Sequence, residues 1–386
     1  MESPRIPVRF SALIFIAAYS AVLNALMLIA PVISGKLAED FGLGPAQTGA
    51  IFSVELGCFS LATIPAYLWL RRLNLRQVTI VCTVIVIVGN IVSGFVGTYS
   101  ALLLARLVTS LAAGSIVVIL LSRSGKAHNP SRAFGVFVVS QLVMGALILA
   151  VFPTVFAEVG SSAVYWSLAG LALLCLPATA LLDGEFLRRD RGQGPADAAR
   201  PSGRSVLPFV LGLGAVLLFY VALSGVWTFM AAVADVAGTS PDAVSRTLSV
   251  ATLAGIASAL FASLRGDTPR RRLYLAVGYL GMAVSVLLLV GAPGLWRFAV
   301  AAVVFKFVWT LILPYLLSTL ADLGSGGQVM NTTNLMIGSG LALGPLISGS
   351  LIESTGGFGA MLLVSTVGVI VSGLLVMVVH PRRADT

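Results

Sequence analysis

The sequence predicts an all-α membrane protein of twelve transmembrane helices, arranged as two pseudo-symmetric six-helix bundles. Three observations predict it. The 386 residues are 58% hydrophobic and only 10% charged, with a mean hydropathy of +1.00. A soluble domain carries roughly 25% charged residues, so lipid must be the solvent for most of this surface. The apolar residues gather into windows of spanning length separated by short loops. The one long hydrophilic stretch, DGEFLRRDRGQGPADAARPSGRSV at 183–206, sits at the midpoint of the chain. It divides the sequence into an N-terminal bundle at 1–182 and a C-terminal bundle at 207–386.

The windows fall near 10–32, 46–69, 78–97, 99–121, 133–153, 162–182, 207–232, 244–264, 273–291, 296–320, 332–352 and 357–379. Each approaches the ~20 residues that a bilayer core demands of a helix. Each must be helical, because an open strand would leave backbone groups unpaired in hydrocarbon. The first follows MESPRIPVRF, lacks an A-x-A-like cleavage site and continues through Pro31, so it reads as a retained helix rather than a signal peptide. The second carries Glu55 and Pro65, the fourth Arg106, the fifth Gln141 and Pro153, and the sixth Pro177. In the second half, window 7 carries Tyr220 and Trp227, window 10 Lys306 and Pro314, and window 11 Asn331, Asn334 and Pro345. Prolines permit bending, and runs of small residues such as GSGLALG (338–344) permit close helix approach.

Lysine and arginine set the orientation. Of the 24 such residues, Lys36, Arg246 and Arg297 fall on one side and Arg106 and Lys306 lie mid-span. All the others, from Arg5 and Arg9 to Arg382 and Arg383, fall on the side of the termini. The bias supports the span count and predicts a multi-pass protein of the cytoplasmic (inner) membrane with both termini in the cytoplasm. It also argues against nucleic acid as a partner, since the net charge of +9 is spread over many loops as topology signals. Cys58, Cys82 and Cys175 lie in apolar runs at spacings that suit neither metal nor disulfide. His128 and His380 neighbour no Cys or carboxylate cluster. No metal and no cofactor is expected.

The two halves read as copies of each other. GPAQTGAIFSVELGCFS (44–60) aligns with SPDAVSRTLSVATLAGIAS (240–258), pairing Pro45 with Pro241 and Ser53-Val54 with Ser249-Val250. ARLVTS (105–110) aligns with FKFVWT (305–310), pairing Arg106 with Lys306. QLVMG (141–145) aligns with NLMIG (334–338), and YSAV (19–22) with LSGV (223–226). The offsets are 196, 200, 193 and 204 residues. Four ordered matches at one approximate period indicate parallel repeats of a six-span unit.

With these repeats the chain resembles the major facilitator superfamily along nearly its whole length. The family's loop 2–3 signature, of the type GxxxDRxGRR, corresponds to YLWLRRLNLRQ (67–77). That stretch keeps Arg71, Arg72 and Arg76, lacks the acidic residue, and has Asn74 at the second glycine. RGDTPRRR (265–272) is a looser echo after span 8. The span 4 motif is partly kept in RLVTSLAAG (106–114), with Arg106 in place. The antiporter pattern GxxxGPxxGG is missing from span 5, and a near match, GLALGPLISG (340–349), stands in span 11. These departures leave the subfamily open. The resemblance implies that spans 4 and 10 face a central cavity; a single copy is expected to be the working unit.

An ionisable group at bilayer depth costs at least ~2.5–3.5 kcal/mol, so such groups are functional candidates. Three stand out: Glu55, Arg106 and Lys306. With the implied cavity, Arg106 and Lys306 would present one cation from each half to a shared midplane site. An anion between them would relieve their repulsion, Arg106 gripping a carboxylate bidentately and Lys306 acting as a point charge. The alternative is that each cation pairs within its own half, Arg106 with Glu55 for example. Burial and a neighbouring cation act on a carboxyl in opposite senses, so Glu55 is expected either to carry the coupling proton or to form a fixed ion pair. Ala251 takes its place in the second half. Asn24, Gln141, Asn331 and Asn334 are candidate substrate contacts or helix-to-helix hydrogen bonders. Tyr19, Tyr220 and Trp227 would stack on a ring-bearing substrate or simply pack.

The resulting expectation is a secondary active transporter. It would move a small organic solute, an organic anion by the cation pair, across the membrane by alternating access coupled to protons, as in symport. A proton-driven drug or metabolite efflux antiporter is the second reading. It suits the span 11 motif, although a pump for cationic drugs would want more acidic residues than Glu55. A membrane-embedded enzyme is a remote third, since no HxxxD, paired acids, phosphate-binding glycine loop or metal spacing is found. A channel would need neither the repeat nor a titratable midplane acid.

Overall fold

The computed structural model describes residues 8–70, 72–125, 130–155, 159–182, 206–265, 268–322 and 327–379. The linker at 183–205, His128, His380 and ten of the loop cations (Arg5, Arg71, Lys126, Arg188, Arg189, Arg191, Arg200, Arg204, Arg382 and Arg383) lie outside the described residues. Among the described residues every regular element is helical. The order is α1 (Val8–Leu23), α2 (Ala25–Phe41), α3 (Pro45–Leu61), α4 (Thr63–Trp69), α5 (Leu75–Phe95), α6 (Tyr99–Gly125), α7 (Pro130–Val155) and α8 (Ser161–Cys175), which runs into a 3-10 turn at Leu176–Leu181. There follow α9 (Val206–Asp235), α10 (Pro241–Arg265), α11 (Arg271–Leu287), α12 (Leu295–Ala321), α13 (Gly327–Thr355) and α14 (Gly359–Val379). Among the described residues eleven helical stretches are long and apolar enough to cross a bilayer. The remaining window, 273–291, holds α11, which at 17 residues is at the lower limit of spanning length.

Helix ends follow local chemistry. Pro45 and Pro241 open α3 and α10, where a missing N–H costs nothing. Asn74 caps α5, its side-chain oxygen accepting the N–H groups of Arg76 and Gln77 at 3.0 and 3.3 Å. Asn74 thus works as an N-cap where the family signature carries glycine. Gly42 ends α2 and Gly356 follows α13 with φ of 62° and 69°, a backbone region that glycine enters without strain.

The first span differs from its expected window in two ways. It is interrupted at Asn24, whose Nδ2 donates to the Ser20 carbonyl at 3.1 Å and so competes with the helical ladder. It also runs on to Phe41 instead of stopping near 32. The apolar run ends before Lys36, Glu39 and Asp40, but the helix does not, and Asp40 accepts the N–H of Ser161 at the start of α8. Hydropathy marks where a helix leaves hydrocarbon, not where it stops being a helix.

The chain forms two compact units. One holds the described parts of Met1–Ile29, Glu39–Gly42 and Val54–Asp190, the other those of Ala30–Ala38, Leu43–Ser53 and Arg191–Thr386. Within the first, α1 packs on α6, α7 and α8, α5 on α6 and α8, and α4 on α6. Within the second, α9 packs on α12, α13 and α14, α11 on α12 and α14, and α10 on α12. The same partners recur in the same order, as a duplicated six-helix bundle requires. Close approach relies on small residues. In the second unit a Cβ on Gly49 would overlap the Pro345 carbonyl, and a Cβ on Gly349 would overlap the Pro45 carbonyl. The start of α3 and the middle of α13 therefore meet main chain to main chain. Glu353 accepts the Ala46 N–H at 2.9 Å beside this crossing.

Candidate functional site

The first unit encloses a charged cluster. Arg106 on α6 donates through Nε to Glu55 on α3, and both side chains are 4% exposed. Arg106 Nη1 donates to Asn90 Oδ1 at 2.8 Å and to Ser93 Oγ at 3.3 Å. Asn90 and Ser93 lie three residues apart on α5, hence on one face of it. The Ser93 hydroxyl in turn donates to the Gly89 carbonyl at 2.7 Å. The Tyr165 ring of α8 lies under the guanidinium, 4.8 Å from Cζ. An ion pair taken out of water survives only when its remaining donors and acceptors are satisfied, and the α5 amide and hydroxyl meet part of that demand by accepting from Nη1. The pair borders a cavity walled by Leu26, Met27, Phe59 and Leu168, with Thr109 and Ser110 as further polar lining. Arg106 Nη2 makes no hydrogen bond among the described residues. Arg106 itself is among the residues that line the cavity.

The second unit encloses a different arrangement around Lys306 on α12. The residue is 0% exposed. Its Nζ stands 3.9 Å from the ring centre of Trp227 on α9 and 3.8 Å from that of Trp309, one turn along α12. Phe305 lies parallel to Trp227 at 6.3 Å and edge-on to Trp309. Gly255 on α10 makes room for the lysine stem, since a Cβ there would come within 3.1 Å of Lys306 Cγ. Nζ has no hydrogen-bond partner among the described residues. Indole faces attract a desolvated cation by about 2 kcal/mol or more.

The other expected contacts are dispersed. Tyr19 is buried and shares a hydrogen bond with Thr83 at 2.9 Å. Asn24 is bonded to its own helix and is not among the residues lining the cavity. Gln141 is half-buried on α7 and Asn334 exposed on α13. Tyr220 is buried on α9, where Gly340 of α13 packs on its Cβ. The side chain of Asn331 lies outside the described residues. Sequence reasoning missed Asn90, Ser93 and Tyr165. Asn90 carried a usable signal, an amide inside an apolar span that must find a partner; nothing in the sequence singled out Tyr165.

The profile of the Major Facilitator Superfamily matches residues 13–213, just over half of the chain. The chain belongs to the major facilitator superfamily. Solved superfamily structures share its fold end to end. A point mutant of the nucleoside transporter NupG aligns over 97% of this chain and 99% of its own, with a TM-score of 0.74 at 15% identity. A bacterial homolog of the human lysosomal transporter Spinster, in an inward-facing and unoccupied conformation, aligns over 98% of each chain with a TM-score of 0.71 at 16% identity. The human organic anion transporter MFSD10 (TETRAN) aligns over 96% of this chain and 100% of its own, with a TM-score of 0.65 at 17% identity. This superfamily member is a multi-pass membrane transporter and not an enzyme.

Proposed function

We propose that the protein is a proton-coupled carrier of a small organic anion in the cytoplasmic membrane, with both termini cytoplasmic and a single copy as the working unit. The observation that carries the reading is Arg106, held by Glu55, Asn90 and Ser93 and lining a cavity together with Glu55. A carboxylate entering the cavity competes with Glu55 for the guanidinium. Protonation of Glu55 releases Arg106 to the substrate, so the site keeps one net negative partner for its cation at each stage and one proton accompanies each carboxylate. Lys306 meets a substrate only if its aromatic walls part.

Benzoate, benzamide, uridine and tetraphenylphosphonium serve as test probes, the nucleoside being included because NupG is a structural neighbour. Benzoate is expected to raise the thermal midpoint of the purified protein, and Arg106→Gln to abolish that shift. Protonophore-sensitive uptake of labelled benzoate into proteoliposomes tests the coupling. Stabilisation by tetraphenylphosphonium and not by benzoate would overturn the anion reading. That result would favour proton-driven efflux, to which the GLALGPLISG segment of α13 (340–349) lends independent support.

A further inference from the structure

Lys306 sits in an environment unlike that of Arg106, Arg246 or Arg271. Arg106 has a carboxylate, an amide and a hydroxyl. Arg271 pairs with Asp322 and Arg246 with Asp242. Lys306 Nζ has two indole faces and no hydrogen-bond acceptor. The helices packed against α12 are α9, α10, α11 and α13, and among the described residues none brings a counter-charge to Lys306. On α9, Trp227 is the residue at the amine. Asp235 stands eight residues further on, about 12 Å along the helix, and Tyr220 about 10 Å the other way. On α10 the facing residue is Gly255; Asp242, Arg246 and Arg265 are each nine or more residues away, at least about 13 Å. On α11, Tyr279 is bonded to Ser372, Tyr274 stacks on Tyr315, and Arg271 and Arg272 occupy the first turn. On α13, Glu353 is engaged with Ala46.

The amine is thus held by ring faces alone, in a slot that Gly255 opens for its stem. Ring faces stabilise the ammonium but offer no acceptor to keep its proton in place, and the neutral amine also fits there without an unpaired charge. We infer that Lys306 is a proton-binding site of the second unit, its amine exchanging a proton with water each time the box of Trp227 and Trp309 opens. The step is an amine taking up one proton to become an ammonium, and its reverse. It deepens the proton-coupled reading, on which it rests, by giving the second unit a titrating group of its own where Ala251 replaces the glutamate of the first.

Trp227 and Trp309 report on the charge between them, so tryptophan emission of the full-length protein in lipid nanodiscs, followed through a pH titration without added substrate, tests the inference. Wild type is expected to show one reversible step. Lys306→Met, which keeps the length of the side chain without a titrating group, and Lys306→Arg, which stays protonated throughout, are both expected to lose it. Trp309→Phe, which leaves the lysine in place, is expected to reduce its amplitude by about half, since one of two equidistant indoles is removed. An unchanged step in Lys306→Met, or no step in wild type, overturns the inference. Uptake of benzoate that ignores a protonophore would instead defeat the coupling reading and leave the step intact, so the two failures are distinguishable.

Discussion

The Glu55–Arg106 pair behaves as a unit. Removing one member strands the other charge in a buried place, which costs about 3–5 kcal/mol, whereas replacing both by apolar side chains is often neutral. Arg106→Leu alone is therefore expected to lower the thermal midpoint markedly, and Glu55→Leu combined with Arg106→Leu to recover most of the loss while remaining inactive. Equal destabilisation in the single and double variants would show that the pair is not coupled. Gly255→Val is expected to disturb the lysine slot, because even a Cβ meets Lys306 Cγ at 3.1 Å. Its signature would be a shift in tryptophan emission without loss of helical content by circular dichroism. At this scale the sequence revealed which residues were out of place in hydrocarbon, since the cost of charge there is a property of the residue type. It left open which partner Arg106 would take, because Glu55 lies 51 residues away and Asn90 reaches the same guanidinium from another helix.

Helices were legible as far as solvent dictates them. Apolar runs located all twelve windows, and α11 is short enough to sit at the margin of spanning length. Ends were less legible, because they answer to caps and tertiary bonds. The first span continues past its apolar run to Phe41, and Asn24 interrupts it by bonding to Ser20. Asn74 illustrates the same point. As a departure from the family signature it reads as a defect, and as the cap of α5 it has a job. Asn74→Gly is expected to cost only a few tenths of a kcal/mol and Asn74→Ala about 1 kcal/mol, which ranked thermal midpoints would check. If both variants match wild type, the cap contributes nothing to stability.

For the molecule as a whole, duplication was readable from four short matches at a common period, and the two units repeat the same helix partners. The two units differ in their buried charges, glutamate facing arginine in one and lysine among indoles in the other. The proposed orientation rests on the distribution of basic loops. Green fluorescent protein fused after Thr386 is expected to fluoresce, and alkaline phosphatase inserted after Gly238 to be active, in intact bacterial cells; the opposite pattern would invert the proposed orientation. The crossing of α3 and α13 carries a last implication. Gly49 rests on the Pro345 carbonyl and Gly349 on the Pro45 carbonyl, with no side chain from either glycine in the seam. A joint of that kind has no rotamer through which to loosen by degrees. Even a methyl group on either glycine would overlap the opposite carbonyl, so the two backbones keep this approach only while both positions stay bare.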